Sequence, residues 1–139
     1  MVARGLRRRE HPSWAWLLLV VVPACGGPAG PAAGTSGPIE SSQLDEVYSL
    51  VKQHLDARKS LPKGPSDLRG WSEGFPTGYF AVQSGRVVVN WATPPSETGE
   101  AVLAYEKDAP TAGGLVILQN RTVKQMTAAE FQAAPKAGN

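Results

Sequence analysis

The sequence predicts an α+β fold, in which one long N-terminal helix packs on an antiparallel meander of about four or five strands and a short helix ends the chain. Three observations lead to this class. Apolar residues recur at helical spacing over residues 41–59. From residue 78 onward the hydrophobic period changes to two, which is the repeat of a half-buried strand. Residues 127–134 begin with a capping-box pattern.

The long helix is predicted from one apolar stripe. The stripe consists of Leu44, Val47, Tyr48, Val51 and Leu55. Ser42 and Asp45, three residues apart, have the form of a capping box at its start, and Pro62 stops the helix. Residues 61–78 are rich in Pro and Gly and predict an ordered loop pinned by isolated apolar side chains, with one short turn after Ser66.

Five strand segments are expected after this loop. They are residues 78–83, 86–91, 101–106, 115–119 and 122–126. Residues 84–85 (Ser-Gly) predict a tight hairpin between the first two segments, and residues 120–121 (Asn-Arg) turn the chain between the last two. Thr127 and Glu130 form a second capping box, so we expect a short terminal helix that docks Phe131.

Residues 1–24 have the form of a secretory signal peptide. Four Arg residues supply a basic start, residues 14–22 form an apolar run, and small residues precede Cys25. The run is shorter than the roughly 20 residues that a transmembrane helix needs, and Pro23 ends it. We therefore expect an exported protein whose leader is cut between Ala24 and Cys25.

The motif Val22-Pro23-Ala24-Cys25 resembles the lipobox of bacterial lipoproteins. This resemblance implies that acyl chains such as palmitate are attached through Cys25 and anchor the chain to the lipid bilayer of the cell membrane or outer membrane, on the periplasmic or cell-surface side. The alternative is a plain signal peptide cut after Ala24, which leaves a free thiol in an oxidising compartment. Residues 25–38 are then the lipidated cysteine and a flexible tether.

What remains is one small domain. Residues 39–135 number roughly 100, enough for one core, and residues 136–139 are predicted to be a disordered tail. Without the four Arg and one Glu of residues 1–24, the 14 basic and 12 acidic residues of the chain fall to 10 and 11. Nucleic-acid binding requires a basic face, and a domain with nearly equal numbers of basic and acidic residues is not expected to have one. We therefore expect no nucleic-acid partner.

Residues 42–134 resemble the exported domains related to type II secretion pseudopilins and type IV pilins. The resemblance rests on a helix that runs into "LPKGPSDL", a strand hairpin, and the stretch "AYEKDAPTAGGLVILQNRTVKQMTAAEF". It implies a pseudopilin-like fold with a structural or protein-interaction role. Pilins carry a long hydrophobic N-terminal helix that packs their subunits into a fibre, whereas this chain has a lipobox and a tether there. The resemblance therefore extends to the fold and not to fibre assembly.

No catalytic residue, cofactor or metal is predicted. His54 is the only histidine after the leader and has no nucleophile or orienting group close by in sequence, so we interpret it as a residue on the helix surface. One His and one lipidated Cys cannot complete a zinc site. The loop that contains Asp108 lacks the spaced carboxylates of a calcium loop, although pilin relatives sometimes bind calcium in this region.

Aromatic residues support the alternative function. Trp71, Trp91 and Tyr79 are possible ligand contacts, because clustered aromatic side chains line sugar and peptide grooves, although packing in the core is their commoner role. The leading hypothesis is a membrane-anchored, non-enzymatic lipoprotein that contacts a protein partner in the cell envelope. The alternative is a small lipoprotein that binds a sugar or peptide through the aromatic loop Trp71–Tyr79.

Overall fold

The computed structural model describes residues 39–136, so the predictions for residues 1–38, including Ala24 and Cys25, and for residues 137–139 lie outside it. In chain order the elements are α1 (Ser41–Arg58), a 3₁₀ helix (Pro65–Trp71), α2 (Pro76–Gln83), β1 (Val87–Val89), β2 (Val102–Glu106), α3 (Ala109–Ala112), β3 (Gly114–Leu118), β4 (Val123–Met126) and α4 (Ala128–Ala133). This is the predicted α+β class, with a four-stranded antiparallel sheet. Among these helices, none has the length and apolar character to cross a membrane.

The sheet is a simple meander in the order β1-β2-β3-β4, with each neighbouring pair antiparallel. One row of paired residues crosses the whole sheet: Val88, Tyr105, Val116 and Lys124. Because directly paired residues point to the same face, Tyr105 and Val116 lie side by side on one surface of the sheet.

Apolar side chains pack on both faces of the sheet. Between the sheet and the helices α1 and α2 lies the larger cluster, which includes Leu44, Val47, Val51, Ala81, Leu103 and Ile117. On the opposite face, under α3 and α4, lies a smaller cluster of Val102, Ala109, Val116, Leu118 and Phe131. Alternation along β3 explains the division, since Ile117 points to one face and its neighbours to the other.

The prediction of a strand at residues 78–83 is wrong, because these residues belong to helix α2. Short apolar runs do not distinguish a strand from a buried helix by period alone. Pro76 at the first helical position favours a helix, and the backbone N–H of Gly78 donates to the Glu46 carboxylate on α1 at 2.8 Å. Ser84 and Gly85 (φ 72°) end this helix and do not form a hairpin, so the sheet has four strands.

The two predicted capping boxes have different outcomes. Helix α1 begins two residues earlier than the first box requires, with Glu40 as its N-cap, and the Ser42 hydroxyl donates to the Glu40 carboxylate at 3.3 Å. The second box is confirmed. The Thr127 hydroxyl accepts from the Glu130 backbone N–H, and the Glu130 carboxylate accepts from the Thr127 backbone N–H at 2.7 Å. Phe131, the next residue, is buried as expected.

Glu106 joins the start of the described chain to the sheet. One carboxylate oxygen accepts from the Ile39 backbone N–H at 3.2 Å, and the other accepts from the Leu115 backbone N–H at 2.5 Å. The Ile39 side chain is buried in the larger cluster. Glu106 is therefore a structural carboxylate at the end of β2.

The turn between β3 and β4 is held against α1 by an ion pair. Arg121 has φ 67°, in the left-handed region that a β-turn often reserves for Gly or Asn. Its guanidinium donates twice to the Asp45 carboxylate, at 2.6 and 2.7 Å, and lies 5.5 Å from the centroid of the Tyr48 ring. This bidentate pair offsets part of the cost of the backbone conformation.

We expect Asp45→Asn to lower the free energy of unfolding by no more than about 1 kcal/mol at pH 7, because both side chains are about half exposed and solvent screens the pair. The hydrogen bonds from Arg121 hold the pKa of Asp45 below its ordinary value of 3.8, against a smaller opposing effect of burial. The pair therefore contributes fully above that ordinary value and loses its contribution as the pH falls through the lower folded pKa.

Urea titrations of the wild type and Asp45→Asn at a series of pH values between 7 and 2 test this expectation. The difference in free energy of unfolding between the two chains should be constant at neutral pH and should shrink below about pH 3.8. A difference that stays the same down to pH 2 would show that the carboxylate of Asp45 does not stabilise the turn.

Candidate functional site

An open groove lined by aromatic residues lies on the sheet face that α4 covers only in part. Its volume is about 630 Å³, within the range of ligand and peptide sites. We call it the aromatic groove. The lining residues that matter most for its chemistry are Asn90, Trp91, Tyr105, Phe131, Gln132 and Lys136.

The two sides of the aromatic groove come from distant parts of the chain. Just after β1, the Asn90 backbone N–H donates to the Leu103 carbonyl at 2.8 Å, which fixes where Trp91 leaves the sheet. Tyr105 comes from β2, and the capping box of α4 orients Phe131 beside it. The two rings lie 4.7 Å apart between centroids, tilted by 58°. This is a favourable aromatic contact, and it makes Phe131 a rigid part of the floor.

The polar side chains of the aromatic groove lie on its rim. Gln132 Nε2 donates to the Pro110 carbonyl at 3.1 Å, which ties α4 to the one-turn helix α3. Lys136 Nζ lies 5.2 Å from the centroid of the Phe131 ring. The Val102 backbone N–H donates to the Pro135 carbonyl at 3.1 Å, so the segment that carries Lys136 is held to the sheet. The groove thus combines an apolar floor with amide and ammonium groups at its edge.

A second cavity of about 840 Å³ lies where α1 ends, and it is mostly polar. We call it the His54 cavity. It is lined by His54, Arg58, Lys63, Asp67 and Trp71 together with Ser60, Leu61, Ser66 and Gly70. The loop of residues 61–78 builds it by folding over α1, with Leu68 fully buried in the 3₁₀ helix as its main apolar anchor.

The interpretation of His54 as a surface residue is wrong, because only 7% of it is exposed. The loop that follows α1 covers it. His54 Nδ1 lies 3.1 Å from the Asp67 carbonyl, and Trp71 packs edge-on against the ring at 5.1 Å between centroids. Because a carbonyl only accepts, Nδ1 is the donor of this bond. The Asp67 carboxylate instead accepts from the Lys63 backbone N–H at 2.8 Å and does not orient the imidazole.

The three aromatic residues predicted as ligand contacts do not form one site. Trp91 lines the aromatic groove, Trp71 lines the His54 cavity, and Tyr79 lies half-buried on α2 and lines neither. The partners that complete the aromatic groove, Tyr105 and Phe131, are not among the predicted contacts. Their cross-sheet and helix placement depends on tertiary contacts that the sequence pattern does not give.

Metal-ligating side chains are not grouped in this domain. Within residues 39–136 there is no set of three or more His, Cys, Asp or Glu side chains positioned to hold a metal ion. Asp108 precedes α3 without a side-chain capping bond to it, and its backbone carbonyl accepts from the Thr111 hydroxyl at 3.2 Å.

Comparisons with known proteins give no further assignment. Neither protein-family profiles, nor curated proteins, nor solved structures show a significant match to this chain.

Proposed function

We propose that this chain is an exported lipoprotein, anchored through Cys25, whose domain is non-enzymatic and acts by contact with a protein partner in the cell envelope. The leader and lipobox-like motif of residues 1–25 support the anchor. The pseudopilin-like architecture is part of the proposal. It is supported by the packing of an 18-residue helix, α1, against an antiparallel meander.

The single observation that carries the contact role is the aromatic groove. Partly exposed aromatic side chains over a rigid apolar floor are typical of the central region of protein interfaces, where Trp and Tyr contribute much of the binding free energy. Trp91 and Tyr105 are half-buried, so each has ring surface left for a partner. A peptide segment inserted there would bury this surface without a change in the fold.

The anchor is tested by intact mass spectrometry of the chain extracted from membranes of its host. We expect the wild type to begin at an acylated Cys25 and Cys25→Ala to keep its leader. A chain that begins at an unmodified Cys25, or an uncut wild type, would contradict the lipoprotein assignment.

Site-specific crosslinking in the host tests the contact surface. A photo-reactive amino acid is placed at position 92 or 132, on the two rims of the aromatic groove, and in a matched control at position 60, on the rim of the His54 cavity. We expect the same partner to be captured from both rim positions of the groove and not from position 60. Trp91→Ala should abolish this capture while the chain remains in the membrane.

The alternative function, binding of a sugar or peptide through the loop Trp71–Tyr79, is favoured by one observation. Trp71 borders the His54 cavity, whose polar lining suits a small polar ligand. Crosslinking from position 60 alone, or a ligand-dependent change in fluorescence that is lost in Trp71→Phe and kept in Trp91→Phe, would favour this alternative over the aromatic groove.

A further inference from the structure

In the described part of the chain, the aromatic groove has one positive charge at its rim and no negative charge along its walls. Among residues 39–136, Lys136 is the only charged residue that lines it. Within residues 39–136, Lys52 and Arg121 form ion pairs with carboxylates. The Lys136 ammonium group instead lies against the face of the Phe131 ring. An ammonium group placed against an aromatic ring at the edge of an apolar groove is available to a carboxylate from outside.

Two acidic side chains next to the aromatic groove are engaged elsewhere. Glu106 follows Tyr105 in β2, but its carboxylate accepts from the backbone of Ile39 and Leu115. Glu130 precedes Phe131, but its carboxylate closes the capping box of α4. Neither carboxylate neutralises Lys136, so the groove favours an acidic occupant over a basic one.

We propose that the partner segment in the aromatic groove is extended and apolar and carries an acidic side chain; this inference rests on the function proposed above. Aliphatic or proline side chains pack on Trp91 and Tyr105, and an Asp or Glu carboxylate reaches Lys136. At the rim, the Asn90 amide and the Gln132 side-chain carbonyl, whose amide nitrogen is bonded to Pro110, are placed to bond the backbone of the segment. An extended, proline-containing segment suits an aromatic groove because its backbone loses little conformational entropy on binding.

A random peptide library displayed on phage tests the charge preference. The target is the full chain held in phospholipid nanodiscs, and empty nanodiscs remove peptides that bind lipid. We expect the wild type to enrich peptides with Asp or Glu beside apolar residues or proline. Lys136→Glu should reverse the preference toward Lys and Arg, and the matched variant Lys63→Glu, in the His54 cavity, should leave it unchanged.

Titration of one enriched peptide distinguishes the preference for an acidic segment from the binding of a peptide in the aromatic groove. Trp91→Ala should weaken binding about 30-fold, because a central aromatic contact is lost. Lys136→Glu should weaken it roughly fivefold, as expected for an exposed ion pair. Enriched peptides that depend on Trp91 but show no charge preference would overturn the acidic segment and keep the groove. No enrichment over empty nanodiscs, or binding that ignores Trp91, would overturn the groove itself.

Discussion

Phe131→Ala is expected to lower the free energy of unfolding by about 3–5 kcal/mol, the range for removal of a buried aromatic side chain. Only 4% of Phe131 is exposed, and it packs against Tyr105 within the smaller apolar cluster. The substitution leaves a cavity under α4, because β4 leads directly into the helix and its other end is bonded through Gln132 to Pro110 and through the Pro135 carbonyl to Val102. Urea titration of the full chain, followed by tryptophan fluorescence, measures the loss.

Phe80→Ala is the matched control for this prediction. Phe80 is the large apolar side chain of residues 39–136 that is most clearly exposed, at 57%. Its removal should change the free energy of unfolding by less than about 0.5 kcal/mol. Equal losses for the two variants would mean that Phe131, in the smaller apolar cluster, contributes no more to the free energy of unfolding than the exposed Phe80 does. Such a result would also mean that Phe131 is not a rigid part of the floor of the aromatic groove.

Gly78→Ala is expected to destabilise the chain by about 1–3 kcal/mol through overpacking. A Cβ atom at this position would lie 2.6 Å from Glu46 Cβ and 2.9 Å from the Val47 backbone nitrogen. Both atoms belong to α1, whose backbone cannot move aside without disturbing the larger apolar cluster. Helix α2 would have to shift outward, and the hydrogen bond from Gly78 to the Glu46 carboxylate would weaken.

Gly70→Ala separates this steric effect from the general effect of replacing glycine. A Cβ atom at position 70 would meet no atom within 4 Å. Alanine there should be neutral or should stabilise the chain by up to about 1 kcal/mol, since it reduces the freedom of the unfolded chain. Thermal or urea unfolding of both variants gives the comparison. If Gly78→Ala also stabilises the chain, α2 does not pack as closely on α1 as the structure shows.

Elements with a clear period or a complete cap could be predicted from the sequence. All four strands of the sheet, the long helix and the terminal helix lie where the pattern places them. The segment at residues 78–83 could not be assigned in this way, because six mostly apolar residues satisfy either a strand or a buried helix. The deciding contact is between Gly78 and Glu46, 32 residues apart, and no local pattern contains it.

The candidate site was predictable only in part. Trp91 could be singled out as the aromatic residue that ends the predicted strand at residues 86–91, but its neighbours in the groove come from β2 and α4. The burial of His54 could not be predicted from the sequence. Helical spacing places His54 near the edge of the apolar stripe, and the loop that covers it has no periodic pattern. Residues that meet through tertiary packing of loops and helix ends have no periodic signal in the sequence.

The attachment of Ile39 to Glu106 has a mechanical consequence. If the chain is tethered before Ile39, a pulling force enters the domain at β2, an inner strand of the sheet, and not at a loose helix end. We expect the load to act first on the hydrogen bond between Ile39 and Glu106 and on the buried Ile39 side chain. Only after these contacts yield can tension unwind α1 from its first turn. Under such a tether, the domain would resist tension at the point where chain and sheet are joined.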